Sequence, residues 1–113
     1  GRPIAQNQGV QFPIASAYSK MRGAELMLDK ALQLYEEGGN PGEEANLAKL
    51  QAADASWAAA EACIQTYGGF GFAREYDVER KYREARLYQV APISTNLILS
   101  YIGEHVLKMP RSY

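Results

Sequence analysis

The sequence predicts an all-α fold built from antiparallel helices joined by short connections. Apolar residues recur at steps of three, four or seven along most of the chain, which is the spacing of one helix face. Clusters rich in Gly or Pro interrupt this pattern at residues 38–42, 68–71, 92 and 110. No segment shows the alternation of apolar and polar residues that indicates a half-buried strand. The 113 residues, 47% of them hydrophobic, have the size and the apolar content of one domain.

The first helix is predicted from about Gln11 to Glu37, a length of roughly 40 Å at 1.5 Å per residue. It ends at the run GGNPG, residues 38–42, because glycine and proline together form a strong helix stop. Its apolar residues at helical spacing are expected to pack against other helices; they are Ile14, Tyr18, Met21, Leu28, Leu32 and Tyr35.

The second helix is predicted from about Glu43 to Tyr67. Its many alanines raise helix propensity and allow a neighbouring helix to approach closely. Because the connection to the first helix is short, the two helices should be antiparallel neighbours. The residues that alternate steps of three and four form one narrow seam: Leu50, Ala53, Trp57, Ala60, Ile64 and Tyr67.

Two shorter helices complete the prediction. The third runs from about Asp77 to Tyr88, with Asp77 as its N-cap. After Pro92, a fourth helix capped by Ser94 or Thr95 runs to about Leu107, and Pro110 closes it. The residues of the fourth helix expected to face inward are Leu97, Ile98, Tyr101, Ile102 and Val106.

Composition excludes several classes of function. The net charge of −1, from 12 basic and 13 acidic residues, argues against a nucleic-acid partner, which needs a clustered positive excess. No uninterrupted run of 18 apolar residues is present, so no membrane span is predicted. Cys63 and His105 each stand alone on a predicted helix, so we expect no metal site and assign both to packing.

The stretch YGGFGFAREYDVERKYREAR, residues 67–86, is the least ordinary part of the chain. It does not fit a Rossmann fingerprint, because Arg74 stands where the third glycine belongs and an alanine-rich helix precedes it. A Walker loop is excluded by the absence of G-K-[ST]. The residues alone therefore favour a helix stop at the glycines, although a ligand or another backbone that approaches Gly68 and Gly69 closely remains the alternative.

A longer stretch, QTYGGFGFAREYDVERKYREARLYQ, resembles the signature of the acyl-CoA dehydrogenase flavoproteins. Their C-terminal domain carries Q-x-x-G-G-x-G, an aromatic residue, a short acidic and aromatic link, and x-x-R-x-x-R-D-A-R. Glu84 replaces the usual Asp of the last element. NLAKLQAAD resembles the A-K-x-x-A segment, and GRPIAQNQGVQFPIA resembles the sequence that follows R-x-x-F-G. The matching residues are Gln65, Gly68, Gly69, Gly71, Phe72, Glu75, Tyr76, Arg80, Arg83, Glu84, Ala85 and Arg86.

The resemblance implies that residues 1–113 form the C-terminal helical domain of a larger chain, an up-down helical bundle that lacks its first helix. It further implies an FAD-dependent enzyme of fatty acid metabolism that dehydrogenates an acyl-CoA at the α and β carbons. A flavoprotein electron acceptor and a homo-oligomer, either a dimer or a tetramer, would be its partners. The expected location is the cytoplasm, or the mitochondrial matrix in a eukaryote.

The resemblance also assigns residues to the flavin. Gln65, Gly68 and Gly69 would contact the FAD of a neighbouring subunit, and Gln8 would reach it as well. Ser94 and Asn96 fall on hydroxyl and amide positions of the E-G-T-S-Q segment that follows R-D-A-R, so both are candidates for flavin contact. The three arginines of VERKYREAR are expected to be structural and to form ion pairs, including pairs with Glu75 and Glu79.

The catalytic base is the point of departure from the family pattern. Pro92 occupies the position of the usual glutamate and cannot accept a proton. Glu104 lies about three helical turns further on and should not reach the substrate. No catalytic residue is therefore assigned within these 113 residues: either the base lies on the helix that precedes them, or the chain belongs to a non-catalytic assembly or partner subunit. A third interpretation is a free-standing helical bundle without a cofactor.

Overall fold

The computed structural model describes residues 1–112, and every regular element within them is helical, so the all-α prediction is confirmed. Helix α1 spans Gln8–Glu36, α2 spans Gly42–Tyr67, α3 spans Val78–Leu87 and α4 spans Thr95–Tyr101. Three short 3₁₀ helices and one π-helical turn connect or extend them: Ile4–Gln6, Gly68–Phe72, Arg74–Tyr76 and Ile102–Val106. No helix in the described part of the chain is long and apolar enough to cross a membrane.

Helices α1 and α2 form a long antiparallel hairpin. The predicted stop after α1 is confirmed: Gly38 adopts a φ of 76°, and the Gly39 amide donates to the carbonyl of Leu34 at 2.8 Å. The amide of Gly38 donates to Tyr35 at 3.1 Å, which completes the two-bond C-terminal motif that a left-handed glycine permits. The helix starts three residues earlier than predicted and contains Pro13.

A seam of alanines holds the hairpin together. Three alanines on each helix are buried at intervals of seven residues, so small side chains face each other and the helix axes can approach closely. The apolar residues predicted to pack along α1 instead stay largely exposed within this chain, for example Leu32 at 52% and Tyr35 at 72%. The buried alanines of the seam are Ala17, Ala24 and Ala31 on α1 and Ala48, Ala55 and Ala62 on α2.

Helix α3 packs on a different face of α2. The rings of Trp57 and Tyr82 lie 4.7 Å apart, and the Arg86 guanidinium lies 5.9 Å from the Trp57 ring. The Gln89 side chain donates to Asp54 at 3.2 Å. The seam predicted on α2 from Leu50 onward therefore serves α3, whereas the alanine seam serves α1.

Ion pairs support the structural role expected for Arg80 and Arg83, whereas Arg86 forms none within residues 1–112 and contacts Trp57 and Gln89 instead. Arg80 bonds to Asp77 at 3.1 Å and to Glu84 at 2.7 Å, and Arg83 bonds to Glu79 at 2.8 Å. Asp77 stands at the N-cap position as predicted, but with a φ of 57° and without a side-chain bond to the helix backbone. Its carboxylate pairs with Arg80 instead.

Helix α4 begins at the predicted cap. The Ser94 hydroxyl accepts the amide of Leu97 at 3.3 Å. Ile98 is buried as predicted, with 1% exposed, but the inward placement of Leu97 is wrong, because 62% of it is exposed. Beyond the π-helical turn the chain folds back, and the Met109 amide donates to the carbonyl of Gly103 at 2.9 Å.

Candidate functional site

The three glycines after α2 occupy three different environments. Gly68 has a φ of 56°, a conformation that side-chain-bearing residues rarely adopt. A Cβ on Gly71 would stand 3.1 Å from the carbonyl oxygen of Ile64. A Cβ on Gly69 would meet nothing within 4 Å, and Gly69 has no positive φ. The fold therefore requires glycine at positions 68 and 71, whereas at position 69 glycine leaves open space beside an exposed backbone.

A cleft of about 640 Å³ lies where the start of α1 meets the end of α2. Gly9 and Ser16 line it from α1, and Trp57, Glu61 and Gln65 line it from α2. Its volume falls in the range of small-molecule sites. The antiparallel hairpin thus brings the segment that carries Gln8 to the end of the molecule that carries Gln65.

The two glutamines have free hydrogen-bonding groups. The side-chain nitrogen of Gln65 donates to the Glu61 carboxylate at 3.3 Å. The side-chain oxygen of Gln65 accepts no hydrogen bond from the described residues. Gln8 is exposed, and within residues 1–112 its side chain forms no hydrogen bond. Glu61 also faces Tyr82: the pKa of this phenol is raised, first by partial burial and then by the Glu61 carboxylate. Sequence reasoning missed Glu61, although its spacing of four residues from Gln65 on one helix was visible.

Aromatic rings surround the glycine loop, which we define as Gly68–Phe72. The Tyr76 ring lies 5.7 Å from the Tyr67 ring and 5.5 Å from the Phe70 ring. Phe70 nevertheless remains 65% exposed. Sequence reasoning assigned no role to Phe70, because the contact with Tyr76 depends on the path of the loop.

Ser94 and Asn96 lie apart from the glycine loop, at the beginning of α4. The Thr95 amide donates to the carbonyl of Gln89 at 3.1 Å, and Gln89 contacts Asp54 near the middle of α2. Asp54 precedes Gln65 by eleven residues, which is about 16 Å along a helix. One chain therefore does not unite all six candidate residues: Gln8, Gln65, Gly68 and Gly69 lie at one end of the hairpin, and Ser94 and Asn96 lie beside its middle.

None of the carboxylates considered as a catalytic base from the sequence, Glu75, Glu79 and Glu104, is placed for that role by the described residues. Glu104 has a side chain that is 18% exposed, and its carboxylate lies 3.8 Å from Arg111. Its other oxygen is buried and has no hydrogen-bond partner among the described residues. Glu79 pairs with Arg83, but the expected pairing of Glu75 with the arginines is wrong, since Glu75 forms no ion pair within residues 1–112. Pro92 is exposed and follows a cis peptide bond.

A longer apolar groove of about 800 Å³ runs along α1 and α2. Ile14, Met21 and Leu28 form one wall, and α2 supplies a floor that consists mainly of alanine. Cys63 lines the groove and is exposed, so its assignment to packing is wrong for this chain. Within residues 1–112, no group of His, Cys, Asp or Glu side chains is arranged to hold a metal ion. The wall of the groove is an exposed apolar surface of this chain.

The chain is similar to known proteins of one family. A family model described as the acyl-CoA dehydrogenase C-terminal domain matches residues 1–107. Acyl-CoA dehydrogenase FadE12 of Mycobacterium tuberculosis (strain ATCC 25618 / H37Rv) is 40% identical over 113 residues, which cover 98% of this chain and 29% of the relative. The mitochondrial short-chain specific acyl-CoA dehydrogenase of Sus scrofa is 34% identical over 113 residues, with coverages of 99% and 27%.

A third relative is CarC of Acetobacterium woodii, a subunit of a caffeyl-CoA reductase–Etf complex. It is 33% identical over 90 residues, which cover 80% of this chain and 24% of the relative. The chain thus spans less than a third of the length of each of these curated relatives.

Proposed function

Because the chain belongs to the acyl-CoA dehydrogenase family through its C-terminal domain, we propose that residues 1–113 are the C-terminal helical domain of a longer FAD-dependent acyl-CoA dehydrogenase. The reaction is the α,β-dehydrogenation of an acyl-CoA thioester. FAD, when bound, accepts the hydride from the β carbon. This domain contributes part of the flavin site and part of the contact between subunits.

The observation that carries the proposal is the open backbone at Gly69. The fold does not require glycine at this position, because neither a positive φ nor a close neighbour excludes a side chain. A ligand that lies against the main chain does require it, since a Cβ would occupy the space of the ligand. The free oxygen of Gln65, one turn earlier, supplies an acceptor for a hydroxyl or amino group of the same ligand.

The separation of the candidate residues supports a site shared between subunits. Gln8, Gln65, Gly68 and Gly69 would hold the FAD of a neighbouring copy. Ser94 and Asn96, beside the middle of α2, would lie against the flavin held by their own copy. Ser94 already accepts a hydrogen bond from the Leu97 amide, so its hydroxyl proton and its second lone pair are left to face a ligand.

The base is proposed to lie outside this chain, on the segment that precedes it. Removal of the α proton needs a carboxylate within hydrogen-bond reach of the substrate. Pro92 lacks such a group, and Glu104 is directed at Arg111.

Two kinds of partner are proposed, further copies of the chain and a flavoprotein electron acceptor. The exposed apolar residues of α1 would be covered in a homo-oligomer, either a dimer or a tetramer. The name of the Acetobacterium relative supports a flavoprotein of the Etf kind as electron acceptor. We propose the cytoplasm as the location of the protein, or the mitochondrial matrix in a eukaryote. The name of the pig relative describes that protein as mitochondrial.

The experiment that tests this proposal uses the full-length protein without oxygen. Its visible absorbance is recorded before and after addition of saturated acyl-CoA thioesters of different chain lengths. We expect bound flavin that bleaches with at least one thioester. A purified protein that retains no flavin and takes up none would overturn the proposal.

A matched pair of variants links the activity to the observation at Gly69. Gly69→Leu should abolish FAD retention, because its side chain fills the open space. Gly23→Ala is the control, since a Cβ there lies at an ordinary distance of 3.9 Å from Gln51. Equal FAD retention in both variants would remove the support that Gly69 provides.

The alternative function is a non-catalytic partner subunit of the same fold. Pro92 at the usual position of the base favours it. Flavin that is bound but stays oxidised with every thioester would support this alternative over the dehydrogenase.

A further inference from the structure

We infer that Gln89 is a positioning residue: it holds residues 90–94, which we call the 90–94 loop, at a fixed place on α2. This role rests on the proposed function, in which Pro92 of the loop takes the usual position of the catalytic base and Ser94 faces the flavin. A shift of the loop would therefore move the wall of the site that lies beside the reacting carbons.

The side chain of Gln89 joins two charged residues on different helices. Its nitrogen donates to the Asp54 carboxylate of α2 at 3.2 Å, and its oxygen accepts from the Arg86 guanidinium of α3 at 2.8 Å. Only one orientation of the amide satisfies both partners, because an ionised carboxylate only accepts hydrogen bonds and a guanidinium only donates them. Gln89 thus connects the end of α3 to the middle of α2.

The main chain of Gln89 holds the far end of the loop. Its carbonyl oxygen accepts from the Thr95 amide at 3.1 Å and from the Thr95 hydroxyl at 3.2 Å. Thr95 is the first residue of α4. One residue therefore bonds to α2, α3 and α4, and the 90–94 loop closes on it.

Burial alone does not fix the 90–94 loop. Val90 is 54% exposed and Ile93 is 46% exposed, and Pro92 is exposed as well. A segment with little buried apolar surface opens easily unless other contacts hold it. One end of this loop is covalently joined to Gln89, and the other end is hydrogen-bonded to Gln89.

A second bond from α2 reaches the end of α3 but not the far end of the loop. Lys49 donates to the carbonyl of Tyr88. This bond holds the residue before Gln89, whereas the carbonyl of Gln89 itself is bonded to Thr95. Removal of the Gln89 side chain should therefore leave α3 in place and loosen the loop.

The first test measures the loop without any cofactor. Hydrogen–deuterium exchange of peptides that cover residues 90–95 is followed by mass spectrometry in the full-length protein freed of flavin. Gln89→Ala should speed the exchange about tenfold, about the effect of one lost hydrogen bond to a charged group. Gln33→Ala is the matched control and should not change it, since Gln33 is also exposed to solvent and donates to the Glu37 carboxylate at 2.8 Å on α1.

An exchange of donor and acceptor tests the bond itself. Gln89→Glu places a second carboxylate against Asp54 and should loosen the loop as much as Gln89→Ala does. Addition of Asp54→Asn supplies a donor at position 54 and should restore the protection. Asp54→Ala should behave like Gln89→Ala, and the two alanine substitutions together should cost no more than either one alone.

The second test measures the consequence for the flavin. The rate constant of flavin bleaching is recorded by stopped flow in the FAD-loaded full-length protein, without oxygen and at saturating acyl-CoA. Gln89→Ala should lower this rate constant about tenfold, because a small displacement beside the reacting atoms has a large effect on the rate. FAD retention should equal that of Gln33→Ala. If thioesters do not bleach the flavin, the absorbance maximum of bound FAD is compared instead and should shift in Gln89→Ala.

The outcomes separate the role of Gln89 from the proposed function. If the unmodified protein takes up no flavin, the proposed function fails, and Gln89 is then a structural residue whatever its effect on exchange. If flavin is bound and Gln89→Ala leaves the exchange unchanged, only the role of Gln89 is overturned. The same holds if exchange rises and the thermal unfolding temperature falls, while the bleaching rate constant and the flavin absorbance stay the same.

Discussion

Gly71 lies against the carbonyl group of Ile64, at a distance that leaves 3.1 Å for an added Cβ. The neighbour is main chain at the end of α2, so it cannot rotate away as a side chain would. We expect Gly71→Ala to lower the free energy of unfolding by about 1–3 kcal/mol through overpacking. Urea denaturation of the apo-protein measures the change. Gly69→Ala, in the open part of the loop, should differ from the unmodified protein by less than about 0.5 kcal/mol.

The alanine seam predicts a second effect on stability. Ala24→Leu should force α1 away from α2 and lower the free energy of unfolding by about 1–3 kcal/mol. Ala15→Leu makes the same change at an exposed position of α1 and should be nearly neutral. Chemical denaturation compares the two variants. If both cost the same, the buried position of Ala24 has no special importance for the packing of the hairpin.

The charged network of α3 predicts a response to acid. The Arg80 guanidinium lowers the pKa of Asp77 and of Glu84 below their ordinary values of 3.8 and 4.5, first by hydrogen bonding to each carboxylate. A carboxylate with a lowered pKa stabilises the fold at pH above its ordinary value, and this contribution is lost as the pH falls through the lowered pKa.

The variant Arg80→Gln should therefore raise both pKa values and weaken the acid dependence of stability below about pH 4.5. Carboxyl ¹³C chemical shifts followed by NMR measure the pKa values directly. Arg83→Gln, which removes the partner of Glu79, should leave the pKa values of Asp77 and Glu84 unchanged. Identical titration curves in the unmodified protein and in Arg80→Gln would contradict the role of Arg80.

The N-cap of α4 predicts that removal of the Ser94 hydroxyl lowers the stability of the fold. Ser94→Ala removes the acceptor of the Leu97 amide and should lower the free energy of unfolding of the apo-protein by about 1 kcal/mol. Ser94→Asp keeps an acceptor oxygen and should retain most of the stability. Thermal unfolding measured by circular dichroism distinguishes the two. A loss that is equally large in Ser94→Asp would argue that the serine hydroxyl has another partner.

The exposed apolar wall of the groove predicts self-association. We expect residues 1–113, expressed alone, to form oligomers at high concentration, because Leu28 and its neighbours lie open to solvent. Leu28→Glu should shift the population toward the monomer in light-scattering measurements. Ser19→Glu adds the same charge to α1 outside the groove and should not. A monodisperse monomer of the unmodified chain at high concentration would contradict the prediction.

Local signals in the sequence predicted the helices well. The stop after α1 depends on the backbone of Gly38 and its neighbours, and the cap of α4 depends on Ser94 and Leu97, so nearby residues determine both. The buried side of α1 was not predicted. A periodic stripe such as the one from Ile14 to Tyr35 indicates an apolar face, but not whether that face meets the same chain or another one.

The candidate site was predicted less completely. The meeting of Gln8 and Gln65 at one end follows from an antiparallel hairpin, and their role came from the resemblance to a family. Phe70 was missed because its contact with Tyr76 depends on the path of the loop. The contact of Glu61 with Tyr82 depends on the position of α3, whereas its spacing from Gln65 was visible in the sequence. The distance between Gln65 and Ser94 likewise depends on how the segment around Gln89 crosses α2.

The alanine seam has a consequence for the geometry of the cleft. Methyl groups interlock weakly, so such a seam restricts the sliding of α1 along α2 less than large interdigitated side chains would. The connection at residues 37–41 must then set the register of the hairpin, together with Tyr101, whose hydroxyl lies close to Gly42. Since the 29 residues of α1 span about 44 Å, the alignment of Gln8 with Gln65 depends on a turn at the opposite end of the molecule. Insertion of one residue into that turn would displace the two glutamines relative to each other without altering any residue of the cleft.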